Sequence, residues 1–205
     1  MSEFVIGVCA MTACVFGASA AAKMRSRAAY RAYRSGLGAN KLVPGHLLAT
    51  AAAALAACEA LTAAWLTGCT VVLAALGSRP SALLYEPALA AATLLTATLT
   101  AGITVAIRRG SPAPCPCFGV ASPRPVGPAH LLRNLVLLSV LVSGLALGSA
   151  GSRQPTPAGL ALALGTAVVA ATLIIRWEDL AEVFTPMETP HRPQEAGKAR
   201  AGTRL

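Results

Sequence analysis

Five long apolar stretches dominate the sequence, and each is long enough to cross a bilayer as a helix. A membrane-spanning helix needs roughly 20 mainly apolar residues, and every backbone polar group within it must be hydrogen-bonded internally. Of the 205 residues, 55% are hydrophobic and only 12% are charged. The sequence therefore predicts an all-α, polytopic transmembrane helix bundle with spans at about residues 4–22, 46–68, 87–107, 131–148 and 158–176.

The positions of the basic residues predict the orientation of these spans. Nearly all Lys and Arg fall in residues 23–45, 108–130 and 176–205, whereas the opposite loops hold only Arg79 and Arg153. Basic residues near spans favour the cytoplasmic side, so we expect the N-terminus outside and the C-terminus in the cytoplasm. The net charge of +9 could suggest nucleic-acid binding. The sequence lacks the basic patch interleaved with stacking aromatic residues that such binding usually uses, which argues against it.

Three segments outside the spans carry their own expectations. Residues 23–45 are basic and contain tyrosines, which favours a position along the lipid headgroups, with Gly36, Gly38 and Pro44 breaking any long helix. Residues 69–77 are apolar and either extend the second span or lie at the interface. Residues 186–205 are rich in proline, glycine and basic side chains, so they are predicted to be disordered.

A cysteine pair lies in the sequence PAPCPCFG at residues 112–119, between the third and fourth spans. Cys115 and Cys117 follow Arg108 and Arg109 closely, and positive charge near a thiol raises its thiolate fraction. A disulfide between residues two apart closes a very small ring, which favours ready exchange over a structural role. Two hypotheses fit this pattern: the cysteines exchange electrons as a redox pair, or they are two unpaired thiols in a loop.

Metal binding is a further interpretation of the pair. Soft thiolates bind Cu(I) or Zn(II), and His130 could join Cys115 and Cys117 as a ligand, but these positions match no common zinc spacing. The chain also lacks the large ATP-binding domains of metal-pumping ATPases. The remaining cysteines lie in or near apolar stretches and are expected to act as small apolar side chains: Cys9, Cys14, Cys58 and Cys69.

Glu59 is an acidic residue near the centre of the second span. A carboxylate in hydrocarbon is costly, so it must be protonated, paired or exposed to a cavity. A functional role would be a proton relay or a contact to a quinone headgroup. A structural role would be pairing with Arg133 or with a helix hydroxyl.

The order of these features resembles the MauE family of methylamine-utilisation membrane proteins. That family is similar to DoxX-type proteins and, more remotely, to quinone-linked disulfide-forming membrane enzymes. The resemblance covers about residues 1–150, and Pro116 departs from the glycine that the family often has between its cysteines. The matching positions are residues 31–34, 42–44, Glu59, residues 108–110, the segment Cys115, Pro116, Cys117, Phe118 and Gly119, and Arg133 with Asn134.

The resemblance implies a redox-associated bundle that helps to form or maintain disulfides with a thioredoxin-like partner, in the named case during maturation of methylamine dehydrogenase. Cys115 and Cys117 would be the exchanging pair, and Glu59 a proton or quinone contact. The sequence itself assigns no cofactor, and a quinone is a candidate. Two alternatives stay open: a non-enzymatic scaffold or small-solute carrier, and a metal-handling membrane protein.

Overall fold

The computed structural model describes residues 2–39, 43–76, 82–110, 127–148, 155–177 and 179–180. Within these ranges the protein is entirely helical, which confirms the predicted fold class. The helices are α1 (Ser2–Met24), α2 (Arg27–Ala39), α3 (Leu48–Leu76, preceded by a 3-10 turn at Gly45–Leu47), α4 (Ala82–Arg108), α5 (Pro128–Gly148) and α6 (Pro157–Ile175). The predicted tail lies outside the described residues.

Five of these helices, α1 and α3 to α6, are long and apolar enough to cross a membrane. Two boundaries differ from the sequence prediction. α3 continues to Leu76, so residues 69–76 extend the second span. α4 begins at Ala82 and includes Pro87, which the sequence pattern had marked as the start of the span. A proline near a helix start removes only one hydrogen bond, and spanning helices tolerate such a loss.

α1 is the central helix of the bundle. It packs against α3 and α6 most extensively and also contacts α5, while α4 pairs with α5 and contacts α3. The start of α1 meets the start of α6, where the Thr156 backbone N–H donates to Glu3 Oε1 at 3.2 Å. Thr156 also caps α6 by accepting a hydrogen bond from the Gly159 N–H. α1 and α6 therefore run side by side in the same direction.

Small residues let these helices approach closely. A Cβ atom at Gly7 of α1 would lie 3.3 Å from the backbone oxygen of Ala163 in α6. A Cβ atom at Gly144 of α5 would lie 3.0 Å from a methyl group of Val8. Without a hydrophobic force between helices in lipid, such close packing is a main source of association. At these contacts small residues stand where bulky ones would not fit.

The basic segment after α1 forms an amphipathic helix. α2 runs through both Gly36 and Gly38, so the expectation that these glycines break the helix is wrong. Gly36 is buried, and a Cβ at Gly38 would come within 2.8 Å of the Leu48 side chain, so both glycines lie where α2 meets its neighbours. Packing against α1 and α3 compensates for the poor helix propensity of glycine.

Candidate functional site

The described residues hold only part of the predicted site. Glu59, Arg108, Arg109, Arg133 and Asn134 are described, whereas Cys115, Cys117, Phe118 and Gly119 lie outside the described residues. The structure therefore describes the two helices that precede and follow residues 111–126 and the rest of the bundle.

Glu59 is fully buried and forms an ion pair with Lys23. The Nζ atom of Lys23 donates to both carboxylate oxygens, and the two side chains are 2% and 1% exposed. Ser19 Oγ donates to Glu59 Oε2 at 3.0 Å, and Lys23 Nζ lies 3.1 Å from Ser19 Oγ. A buried charge is tolerated only when it is paired and hydrogen-bonded. This arrangement meets both requirements.

Of the two structural partners that the sequence left open for Glu59, the structure shows the helix hydroxyl, that of Ser19, and its cation is Lys23 in place of Arg133. Lys23 is the partner, although its position beside the basic segment had marked it as a residue of the loop that sets the orientation. α1 extends to Met24, so Ser19 and Lys23 lie four residues apart on one helix face and both reach Glu59. The spacing of four at the end of an apolar stretch is the signal that could have identified this pair.

α2 covers the ion pair through Tyr33. The Tyr33 side chain is buried, and Lys23 Nζ lies 4.8 Å from the centre of its ring, within the range of a cation–π contact. Burial, with a smaller contribution from the negative charge of Glu59, raises the pKa of Tyr33 above that of an ordinary tyrosine. Tyr33 therefore stays neutral and keeps its ring over the ammonium group.

Arg133 and Asn134 lie on the buried face of α5, one turn beyond His130. The guanidinium Nε and Nη2 atoms of Arg133 are each 3.4 Å from Asn134 Oδ1. His130 Nδ1 accepts a hydrogen bond from the Gly127 N–H at 3.3 Å, which fixes the first turn of the helix. Polar side chains thus continue inward from the start of α5.

A cavity of about 30 Å³ joins these groups to the ion pair. Four helices supply its lining: Val15, Phe16, Ser19, Glu59, Thr96, Leu99, Arg133, Asn134 and Leu137. Its size matches the space of about one water molecule, whose share of liquid volume is about 30 Å³. Sites for small organic ligands usually span roughly 300–1,000 Å³. Among the described residues, the cavity beside Glu59 has room for water and is smaller than such ligand sites.

Arg108 and Arg109 lie apart from this cluster. Both are exposed, and α4 ends there because Gly110 adopts a left-handed conformation with a φ of 62°. Arg108 follows Leu99 by nine residues, so it stands about 14 Å farther along the helix at a rise of 1.5 Å per residue. The arginines flank the cysteine segment, whereas Glu59, Arg133 and Asn134 share the cavity.

Among the residues that the structure describes, no three His, Cys, Asp or Glu side chains come together as a metal site. Cys9 and Cys69 are buried, Cys14 and Cys58 are exposed on the outside of the bundle, and none of these four forms a disulfide. Cys69 Sγ lies 3.3 Å from the Leu84 carbonyl oxygen, as expected for a weak thiol donor in a helix interface.

The fold and the buried cluster define a multi-pass membrane protein whose helices enclose a charge-paired polar centre. A protein-family profile described as methylamine utilisation protein MauE matches residues 1–148. The chain belongs to the MauE family, which confirms the resemblance and indicates a membrane protein of methylamine utilisation. The match contains α1 to α5 and ends before α6. No curated protein and no solved structure matches the chain.

Proposed function

We infer that this protein exchanges thiols and disulfides at the membrane surface through Cys115 and Cys117, with a thioredoxin-like partner. The observation that carries the proposal is the buried Lys23–Glu59 pair between α1 and α3, together with the cavity beside it, which the two helices that flank residues 111–126 also line. α4 and α5 both line that cavity and both border residues 111–126. Intramembrane ionisable groups usually mark functional sites.

The exchange balances without a further oxidant. The Cys115 and Cys117 thiols lose two electrons and two protons and become a disulfide, while a disulfide of the partner gains both and becomes a dithiol. A thiolate of one protein attacks a sulfur of the other, and a mixed disulfide is the intermediate. The reverse direction uses the same steps. Arg108 and Arg109 would favour the thiolate form through their positive charge.

Glu59 is proposed to receive and return a proton during this exchange. Lys23 and Ser19 hold the carboxylate, with the Tyr33 ring over the Lys23 ammonium group, and the water-sized cavity with Asn134 and Arg133 lies beside it. A water in the cavity would connect the carboxylate towards the start of α5. No step is assigned to a quinone, because the cavity beside Glu59 has about the volume of one water molecule.

The test counts free thiols in the full-length protein in its membrane. Samples are quenched in acid, denatured and labelled with a mass-tag maleimide, with and without reductant, after incubation with oxidised thioredoxin. The chain has six cysteines, so an internal disulfide removes two tags and reductant restores them. The Cys115→Ser/Cys117→Ser variant is the control, and its tag number should not change with reductant.

Full labelling of the native protein after incubation with oxidised thioredoxin would contradict the proposal. If, in addition, the double Ser variant supports methylamine utilisation to the same extent as the native chain does, the scaffold or carrier alternative is correct. If copper or zinc co-purifies with the native chain and disappears from the double Ser variant, the metal-handling alternative is correct.

The cysteine segment is proposed to face the cytoplasm, with the N-terminus outside. Although Lys23 is buried and paired, Arg25, Arg27, Arg31 and Arg34 on the same side keep the basic excess that favours this orientation. A membrane-impermeant maleimide added to sealed, oriented vesicles should label Cys115 and Cys117 only from the cytoplasmic face. Labelling from the other face would reverse the orientation.

A further inference from the structure

The exposed face of α2 and the end of α1 form a basic groove at the boundary of a membrane span. The groove has a volume of about 550 Å³ and is lined by Met24, Ser26, Arg27, Tyr30 and Arg31. It lies directly after α1, the apolar helix that spans to Met24. We propose that this groove binds the phosphate headgroup of an anionic phospholipid.

Charge is the first reason for this occupant. Residues 23–45 contain six Lys or Arg residues and no Asp or Glu. Within the described ranges, no carboxylate forms a salt bridge with Arg27, Arg31 or Arg34. Glu59, the first acidic residue after this segment in the sequence, is paired with Lys23 in the bundle interior. The groove therefore presents a positive charge that an external anion would neutralise.

The chemistry of the lining is the second reason. Guanidinium groups bind phosphate oxygens with paired hydrogen bonds, and Arg27 and Arg31 lie one turn apart on the same helix. Arg31 Nε donates to the Arg27 carbonyl oxygen at 3.3 Å, which leaves its terminal nitrogens to reach outwards. The Ser26 hydroxyl accepts a hydrogen bond from the Ala29 N–H and keeps its own proton for donation.

An apolar side chain next to the arginines favours a lipid over a free anion. Met24 is 53% exposed at the end of the span, beside the basic groups. The Tyr30 ring forms another wall, and its hydroxyl is 3.5 Å from the Ala49 carbonyl oxygen at the start of α3. Aromatic side chains are common at this depth. The groove thus offers positive charge to a headgroup and apolar surface to the first part of its acyl chains.

The experiment measures lipid retained by the purified full-length protein. Native mass spectrometry would be run after incubation with phosphatidylglycerol or with phosphatidylcholine. Phosphatidylglycerol should be retained in preference, and Arg27→Gln/Arg31→Gln should weaken its binding by about 30-fold, from a loss of about 1 kcal/mol per basic residue. Arg34→Gln is the matched control, because Arg34 is an exposed arginine of the same helix outside the groove lining.

Several results would overturn the proposal. Equal retention of the two lipids, or unchanged binding in the double Gln variant, removes the site. If Arg34→Gln and Arg31→Gln weaken phosphatidylglycerol binding equally, the lipid binds to a diffuse basic surface and the groove is not a site. Competition by inorganic phosphate at the same concentration as the lipid identifies a free-phosphate site. If the double Gln variant does not fold, Arg27→Lys/Arg31→Lys replaces it: it keeps the charge, loses the paired geometry, and should bind more weakly than the native chain.

Discussion

The two ends of α1 differ in what they pack against. Near its start, Gly7 and Val8 make close apolar contacts with α6 and α5, and the surrounding side chains are hydrophobic. Near its end, Ser19 and Lys23 hold a buried carboxylate and adjoin a polar cavity. Dense apolar packing stabilises a bundle at no electrostatic cost, whereas a buried ion pair is often no more stable than apolar residues of the same size. The comparison indicates that the first end maintains the fold, and the cost of the buried pair at the second end supports the role proposed for it above.

The largest expected effect comes from breaking the ion pair. Lys23→Met leaves Glu59 without its cation and should lower the free energy of unfolding by about 3–5 kcal/mol. Lys23→Met/Glu59→Gln should recover most of that loss while thiol exchange stays impaired. Unfolding in a detergent titration gives both values. A double variant as unstable as the single one would show that the two residues do not stabilise each other.

At the apolar end, Gly7→Leu should separate α1 from α6. The new side chain would meet the Ala163 backbone, and such overpacking costs about 1–3 kcal/mol. Gly165→Leu is the matched control, because nothing lies within 4 Å of a Cβ at Gly165. The same detergent titration applies. Equal stability of the two variants would contradict a tight α1–α6 contact.

The ring of Tyr33 should contribute less than either of these. Tyr33→Leu removes the cation–π contact with Lys23 and should cost about 2 kcal/mol or less. Tyr33→Phe keeps the ring and should remain close to the native stability at neutral pH. If the Phe variant loses as much as the Leu variant, the hydroxyl and not the ring carries the effect.

Alkaline pH should lower the contribution of Tyr33 to the free energy of unfolding. Because burial raises the pKa of Tyr33 in the folded protein, the unfolded chain releases this proton first. Stability from Tyr33 is therefore complete below the ordinary tyrosine pKa of about 10 and falls above it by at most about 1.4 kcal/mol per pH unit. Comparing Tyr33→Phe with the native chain between neutral and alkaline pH isolates this effect. Identical curves would contradict the raised pKa.

The smallest expected effect is a gain at Thr12. Its hydroxyl is buried and, among the described residues, has no hydrogen-bond partner. The threonines of α4, by contrast, donate to carbonyl oxygens four residues earlier, as Thr96 and Thr100 do. Thr12→Val should stabilise the protein by about 1 kcal/mol, because a buried unsatisfied group is removed. Destabilisation would indicate that the hydroxyl has a partner.

The spans were predictable because membrane insertion depends on local apolar length. Their ends were less so: α4 begins before Pro87 and α3 continues to Leu76, since packing against neighbouring helices decides where a helix ends. α2 was missed as a helix because Gly36 and Gly38 have poor propensity, whereas its buried face supplies the stabilisation.

One part of the site could be predicted from the sequence. A carboxylate within a membrane span is costly, and this cost identified Glu59 from its position alone. Its partner was not, because Lys23 lies 36 residues earlier and resembles an ordinary basic residue at the end of a span. Tyr33 was missed for the same reason: only the return of α2 across the bundle brings its ring to Lys23. Contacts between distant segments leave no local pattern in the sequence.

α6 lies outside the region that the family profile matches, and it packs on α1, which lies inside that region. A chain ending after α5 would expose Gly7 and its neighbours to lipid, and such small-residue surfaces are where membrane helices associate. A four-span relative with the same α1 surface would thus have an exposed side to which another membrane helix could bind. In this protein that side is already occupied by a helix of the same polypeptide, tethered at high local concentration, so no second subunit is needed to shield it.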